Sequence, residues 1–224
     1  MKKILGLISA SLLWAVMIMP ANSGQFGLGV TALIGELETD GSETEKTVTG
    51  VTSETTTKSL IERFMGGAVY VEYRMDNRFA FGVEYVPVDI GVGSGSRSDT
   101  TAGANVAAEA DTGDRTASAD IENLYTLYLR APLPMTESAY VKLGYHDADV
   151  TTAESLTTTS YGNAALNGIE YGIGFQNDSG RARLEFTYSD FDEISLTGTG
   201  SGETNQNSVK ADADAMSLRI SLGF

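Results

Sequence analysis

Residues 169–188 read IEYGIGFQNDSGRARLEFTY, and this stretch decides the fold that we expect for the whole chain. On both sides of the tetrapeptide at 177–180, an apolar side chain recurs at every second position. Strict alternation is typical of strands with one apolar face, and a short Asn/Gly-containing segment between two such runs predicts a hairpin. The opposite face carries glycine and charged residues, among them Glu170, Arg183 and Glu185.

The same alternation recurs along the chain and predicts eight strands. They cover about 25–37, 60–74, 79–86, 121–131, 140–146, 169–176, 182–189 and 215–224. Long polar segments (to about residue 58, then 88–120, 147–166 and 192–210) alternate with short turns (75–78, 132–138 and 177–180). Transmembrane barrels have short periplasmic turns and long external loops. The sequence therefore predicts an all-β fold, an eight-stranded antiparallel up-and-down transmembrane β-barrel.

The first 23 residues have the features of a secretory signal peptide. Lys2 and Lys3 precede an apolar run over 4–19, Pro20 ends that run, and small residues follow up to Ser23. The alternative is a membrane anchor helix, but the run is shorter than the roughly 20 residues that cross a bilayer. We expect a signal peptide at 1–23 and an outer-membrane barrel domain at 24–224.

Composition excludes several classes of function. Without Lys2 and Lys3, 13 basic residues remain against 30 acidic ones, which gives the mature chain a net charge of −17. Such a chain repels the phosphates of nucleic acid, so we expect no nucleic-acid partner. The chain has no cysteine, so neither disulfides nor thiolate metal sites are available.

The apolar face could point inward, as in a soluble lipocalin-type barrel, or outward to lipid. The opposite face carries eight charged residues, and buried charges need partners. The set contains four acids and four bases, and the interior of an eight-stranded barrel is just wide enough for side chains to fill it. We therefore expect an outward apolar face and a luminal charge network of Glu72, Glu84, Arg130, Lys142, Glu170, Arg183, Glu185 and Arg219.

Two sets of residues resemble bacterial outer-membrane proteins. The last strand alternates Met216, Leu218, Ile220 and Leu222 and ends on Phe224, and it resembles the terminal strand signature of such proteins. The segments 73–85 (YRMDNRFAFGVEY) and 140–145 (YVKLGY) resemble the small barrel family that includes OmpA-type transmembrane domains and OmpX-like barrels of the porin family.

This resemblance implies a location in the outer membrane of a Gram-negative bacterium, among outer-membrane lipid and lipopolysaccharide. It implies that Ile220, Leu222 and Phe224 form the signal that the barrel assembly machinery reads. It also implies that salt bridges plug the lumen. An ion gate, opened by exchange of charged partners, is the alternative role for the same residues.

Catalysis has little support in the sequence, and we predict no enzyme, no cofactor and no metal. A hydrolytic triad needs a base that a third group orients. The only histidine, His146, has luminal parity and stands beside Asp147, while Ser189 and Ser217 have no evident histidine neighbour. The glycines at 91, 93 and 95 are no nucleotide fingerprint because no helix follows them.

The predicted external loops are acidic and rich in hydroxyl groups, with eleven Ser or Thr residues in 39–59 alone. Such segments favour a solvated, poorly ordered surface. A receptor, an adhesin or a divalent-cation site are the alternatives, since carboxylates suit hard cations. The sequence thus predicts a structural, surface-exposed barrel with a plugged lumen. A narrow pore for ions or small solutes and a loop-mediated adhesin or receptor are the alternatives, and the external ligand is not identified.

Overall fold

The computed structural model describes residues 24–46, 52–99, 113–134, 136–155, 159–200 and 208–224, so the predicted signal peptide lies outside it. No helix in these ranges is long and apolar enough to cross a membrane. The strands are β1 (Gly24–Lys46), β2 (Thr52–Met75), β3 (Ala80–Val86), β4 (Ile90–Asp99), β5 (Gly113–Pro132), β6 (Ala139–Glu154), β7 (Thr159–Ser160), β8 (Ala164–Gln176), β9 (Ala182–Thr197), β10 (Thr199–Gly200) and β11 (Ser208–Gly223).

Nine of these strands form one antiparallel ring with eight positions. The order runs β2, β1, β11, β9, β8, β6 and β5. β3 and β4 both pair with β5 and occupy the eighth position one after the other, and β3 closes the ring by pairing with β2. The predicted fold is confirmed. The remaining strands, β7 and β10, pair with each other and join two of the long hairpins.

The two ends of the barrel differ in their connections. One end, here called the turn end, carries the short connections 76–79, 133–138 and 177–181. The last of these is shaped by Gly180, whose φ of 64° favours glycine, and by the Asn177 side chain, which accepts the N–H groups of Arg181 and Ala182. The opposite end, which carries the long connections, is called the hairpin end.

Strands extend further at the hairpin end than the sequence predicted. β1 continues to Lys46 and β2 begins at Thr52, so most of the predicted loop is a paired ribbon. β4 and the first part of β5 likewise occupy much of the predicted loop 88–120. Apart from Ile90 and Val92, these segments are polar or small in sequence, so the alternation that marks a strand disappears, although threonine-rich segments still favour extended structure.

The apolar face points outward, as predicted. In β11, Met216, Leu218, Ile220 and Leu222 are exposed, whereas Ser217, Arg219 and Ser221 between them are buried. The same alternation on the other strands produces an exposed apolar band around the barrel. Its members include Phe26, Leu28, Val30, Ile34, Val69, Val71, Leu127, Leu129, Leu143, Ile173, Leu184 and Phe186.

A β-bulge explains why Leu124 does not fit the alternation of its strand. The register between β5 and β6 shifts between Glu122 and Tyr125, and Asn123 has a φ of 54°. The extra residue in the bulge changes the face on which the next side chain lies. Leu124 therefore points into the lumen and is buried.

Candidate functional site

The structure places all eight predicted charged side chains inside the barrel. Each of these side chains is at most 6% exposed, and each has an oppositely charged partner. The lumen is therefore the candidate site. Its side chains form three layers, which are described from the turn end outward.

Glu72 is the centre of the first charged cluster. Arg130 donates to both carboxylate oxygens at 2.8 and 2.9 Å, and Arg183 donates at 2.6 Å. Arg74, which the sequence analysis did not include, donates at 2.8 Å but is 22% exposed at the turn end. The Tyr128 hydroxyl adds a hydrogen bond of 3.0 Å. One carboxylate thus holds three guanidinium groups.

The second cluster joins the other charges into a chain. Lys142 Nζ lies 2.9 Å from Glu170 and 3.8 Å from Glu185. Arg219 lies 3.1 Å from the other oxygen of Glu170 and pairs with Glu84. The four acids and four bases that the sequence predicts are therefore all paired within the lumen, and Arg74 adds a fifth base at the turn end, where it is partly exposed.

Three tyrosines cover the cations, and each tyrosine stands across the sheet from a glycine. Arg130, Lys142 and Arg183 lie over the rings of Tyr140, Tyr128 and Tyr70 at 4.7, 4.7 and 4.1 Å. The cross-strand partners of these tyrosines are Gly174, Gly82 and Gly29. A Cβ atom at Gly82 would lie 2.7 Å from Tyr128 Cζ, so only glycine leaves room for the ring. The sequence analysis missed these pairs because they depend on register.

Hydroxyl groups and His146 form the second layer. His146 lies 2.8 Å from Thr126 through Nδ1 and 2.8 Å from Ser189 through Nε2. The expectation that Ser189 has no histidine neighbour was wrong. β8 lies between the strands of these two residues. The Phe191 ring stacks on His146 with the ring centroids 5.2 Å apart, and it lies against Gly168 of β8, where a Cβ atom would be 2.8 Å from Phe191 Cδ1.

The contact between His146 and Ser189 lacks the third group of a hydrolytic triad. Thr126, which holds Nδ1, is a hydroxyl and cannot stabilise an imidazolium as a carboxylate does. All three residues are buried. Ser217 instead bonds Thr187 at 2.8 Å and Arg219 Nε at 3.0 Å. The arrangement satisfies buried polar atoms and offers no evident nucleophile.

Apolar side chains form the third layer, towards the hairpin end. The sequence analysis did not predict this layer, because four of its members (Ile90, Ala148, Val150 and Leu166) fell within predicted polar loops and most of the others are spread over several predicted strands. Between this layer and His146 lies a cavity of about 20 Å³, which has room for about one water molecule. The layer consists of Leu33, Leu37, Ala68, Val86, Ile90, Ile121, Leu124, Ala148, Val150, Leu166, Phe191 and Ala213.

The outer wall becomes acidic at the level of the apolar layer. Glu38, Asp214 and Asp190 are exposed neighbours across β1, β11 and β9. Within the part of the chain that the structure describes, no group of three or more His, Asp or Glu residues is arranged to hold a metal ion.

No known protein family and no curated protein matches the chain. Among solved structures, it is similar to neisserial surface protein A, with 11% identity over 91% of this chain and 100% of that chain and a TM-score of 0.40. Outer membrane protein AlkL in lipid bilayers shows 14% identity over 92% and 93%, with a TM-score of 0.43. The protease OmpT of Escherichia coli shows 7% identity over 89% and 98%, with a TM-score of 0.40. Function therefore has to be argued from the chain's own residues.

Proposed function

We propose that the chain is an outer-membrane barrel whose lumen is closed to ions and whose long hairpins form a structural surface outside the cell. The observation that carries this proposal is the luminal charge network, in which all eight charged side chains are buried and paired with one another. The structural plug is therefore favoured over the ion gate.

The outward apolar band supports the membrane location. A contiguous exposed band of this kind needs an apolar surrounding, and a ring of strands leaves few backbone edges unpaired there. The signal-like residues 1–23 and the terminal strand ending on Phe224 are consistent with export and with assembly by the barrel machinery. We propose outer-membrane lipid and lipopolysaccharide as its surroundings.

An ion would meet two barriers in this lumen. To pass the charged layer it must separate pairs such as Arg183–Glu72, and removing one partner of a buried pair costs about 3–5 kcal/mol. Beyond it lies the apolar layer, which excludes water from its narrow space. Opening one layer alone leaves the other closed.

Planar-bilayer conductance of the refolded mature chain tests the proposal. We expect no steady conductance from the natural chain, from Arg183→Ala or from Glu185→Ala, since the apolar layer remains in each. Arg63→Ala is the matched control because its partner Glu36 is on the outer wall. A steady conductance of the natural chain that changes in Arg183→Ala, but not in Arg63→Ala, would favour the narrow pore instead.

A second candidate is binding at the cell surface, as an adhesin or a receptor. It is favoured by the long polar ribbons and by the β7–β10 pairing, which joins two hairpins into one surface. Whole-cell binding to host matrix or phage, with and without the β1–β2 hairpin beyond Asp40 and Ser59, tests this role. Unchanged binding after shortening of all four hairpins contradicts it.

A further inference from the structure

The connection between β6 and β8 carries a short arm at the hairpin end of the barrel. We call residues 159–163 the arm. It is bonded to β6 at two points. Thr152 Oγ1 donates to the Gly162 carbonyl at 2.9 Å, and the Tyr161 N–H lies 3.1 and 3.0 Å from the two carboxylate oxygens of Glu154. Gly162 has a φ of 71°, which favours glycine, so the chain turns within the arm.

The side chain of Tyr161 links the arm to the opposite side of the barrel. Its hydroxyl donates to Glu43 Oε1 at 2.9 Å. Glu43 lies on β1 and Glu154 lies on β6, and in the ring of eight positions three others separate these two strands in either direction. One residue therefore bonds two strands that stand opposite each other, so its side chain crosses the mouth of the lumen.

Alternation places both of these carboxylates on the luminal side. Glu43 follows Leu37 of the apolar layer by six residues, and Glu154 follows Val150 of the same layer by four. Even intervals along a strand keep side chains on one face. The register of β1 with β2 has no shift between Leu37 and Glu43. The Tyr161 side chain thus lies above the apolar layer, on its hairpin-end side.

A short ladder fastens the arm on a second side. Within the described residues, β7 and β10 form two residue pairs, Ser160 with Thr199 and Thr159 with Gly200. A ladder of this length has few hydrogen bonds to lose, whereas the ladders of the barrel wall run over many residues. The ladder and the tyrosine hydroxyl can both let go while the bonds to β6 remain.

We infer that Tyr161 is a latch and that the arm is a lid, which opens and closes over the hairpin-end mouth of the lumen. In the structure the lid is closed. Release of the Tyr161 hydroxyl from Glu43 frees the lid from β1, and the lid then turns about its attachment to Thr152 and Glu154. The luminal face of β1 below Glu43 is reached from the hairpin end only while the lid is open. The inference follows from contacts at the hairpin end and does not depend on the membrane location.

Distances between two spin labels test the latch. The chain has no cysteine, so Ser160→Cys on the arm and Asp40→Cys on the outer face of β1 give one labelled pair in the refolded mature chain. Tyr161→Phe removes only the hydroxyl of the latch. Tyr188→Phe is the matched control, since its hydroxyl donates at 2.7 Å to Asp214 on the outer wall. The measurement is double electron–electron resonance in detergent micelles.

We expect one short distance in the natural sequence and in Tyr188→Phe, and a second, longer distance in Tyr161→Phe. Glu43→Gln keeps an oxygen that can accept from the hydroxyl, so it should keep the short distance. Glu43→Ala removes that oxygen and should behave like Tyr161→Phe. The same distances in Tyr161→Phe and in Tyr188→Phe overturn the latch.

A thiol under the arm tests whether the arm covers the lumen. Thr39 lies on the same face of β1 as Glu43, four residues before it and thus about 13 Å deeper. Thr39 is 6% exposed, and its hydroxyl has no hydrogen-bond partner in the part of the chain that the structure describes. Thr39→Cys therefore gives a buried thiol at little cost. Ile61→Cys, at an exposed position of the outer wall, is the reference thiol.

A water-soluble methanethiosulfonate reagent should modify Thr39→Cys about tenfold faster when Tyr161→Phe is added, the factor expected for loss of one hydrogen bond to a charged group. Adding Tyr188→Phe should leave that rate unchanged. Ile61→Cys should react at one rate in all three backgrounds. Equal rates at Thr39→Cys with and without the latch overturn the lid, and so does a parallel increase at Ile61→Cys, which would indicate general loosening.

Discussion

Replacing Glu72 by glutamine removes the carboxylate that holds three guanidinium groups and keeps an oxygen that can still accept from Tyr128. Arg74 is partly exposed and can turn to water. Arg130 and Arg183 are almost fully buried, so their charges lose their partner without gaining solvent. We expect Glu72→Gln to lower the free energy of unfolding by about 3–5 kcal/mol, the cost of breaking one buried pair, since both arginines share a single carboxylate.

Two matched variants separate this effect from a general one. Glu36→Gln breaks the exposed pair with Arg63 and should cost about 0–1 kcal/mol. Glu72→Gln combined with Arg183→Met restores a neutral lumen at similar volume, and it should recover part of the loss. The measurement is denaturant unfolding in detergent micelles, extrapolated to zero denaturant at unchanged slope. If Glu72→Gln and Glu36→Gln cost the same, water screens the luminal charges and the reasoning for a dry plug is refuted.

Two further predictions concern the lumen and the outer wall. Gly82→Ala should destabilise the barrel by about 1–3 kcal/mol, because its Cβ atom would overlap the Tyr128 ring. The control is Gly27→Ala, whose Cβ atom would meet nothing closer than 3.7 Å and which should change stability by less than about 0.5 kcal/mol. Equal effects of the two substitutions would contradict the packing argument. Leu143→Arg, in the middle of the apolar band, should cost about 2–4 kcal/mol in lipid, and Asp190→Arg above the band about 0–1 kcal/mol, both measured by unfolding from vesicles. A soluble barrel would tolerate both arginines equally well.

Strand alternation was enough to predict the fold and the position of the luminal charges. Each charged residue, such as Lys142 or Arg219, stands between two outward apolar residues, so parity alone assigns it to the inside. The ring of eight positions followed from the count of such runs and from the alternation of long and short connections. These are local signals, and they need no knowledge of which strand lies next to which.

The features that sequence reasoning missed depend on register or on contacts across the lumen. Ser189 meets His146 across the intervening strand β8, and the alternation within single strands does not show such a contact. The glycine partners of the luminal tyrosines follow from pairing alone. Pro87 was a usable signal for the break in the third strand position, since proline has no N–H to donate to a ladder. The alternation in 79–86 gave no reason to look beyond it.

The apolar layer was missed for a reason that also accounts for the cavity. At each level along the barrel axis, apolar side chains lie on only one face of the wall. That face is the outer one near the turn end and the inner one near the hairpin end. In β6, Tyr145 faces outward at the edge of the band, whereas Ala148 and Val150 face inward and Asp149 outward. On the turn-end side of this change, the outer face is apolar and suits lipid. On the hairpin-end side, the outer face is polar and suits water, and the apolar side chains form a core inside. At the level of the change, neither the layer of hydroxyl groups and His146 nor the apolar layer fills the lumen completely. The cavity lies at this level, because neither kind of side-chain packing continues through it.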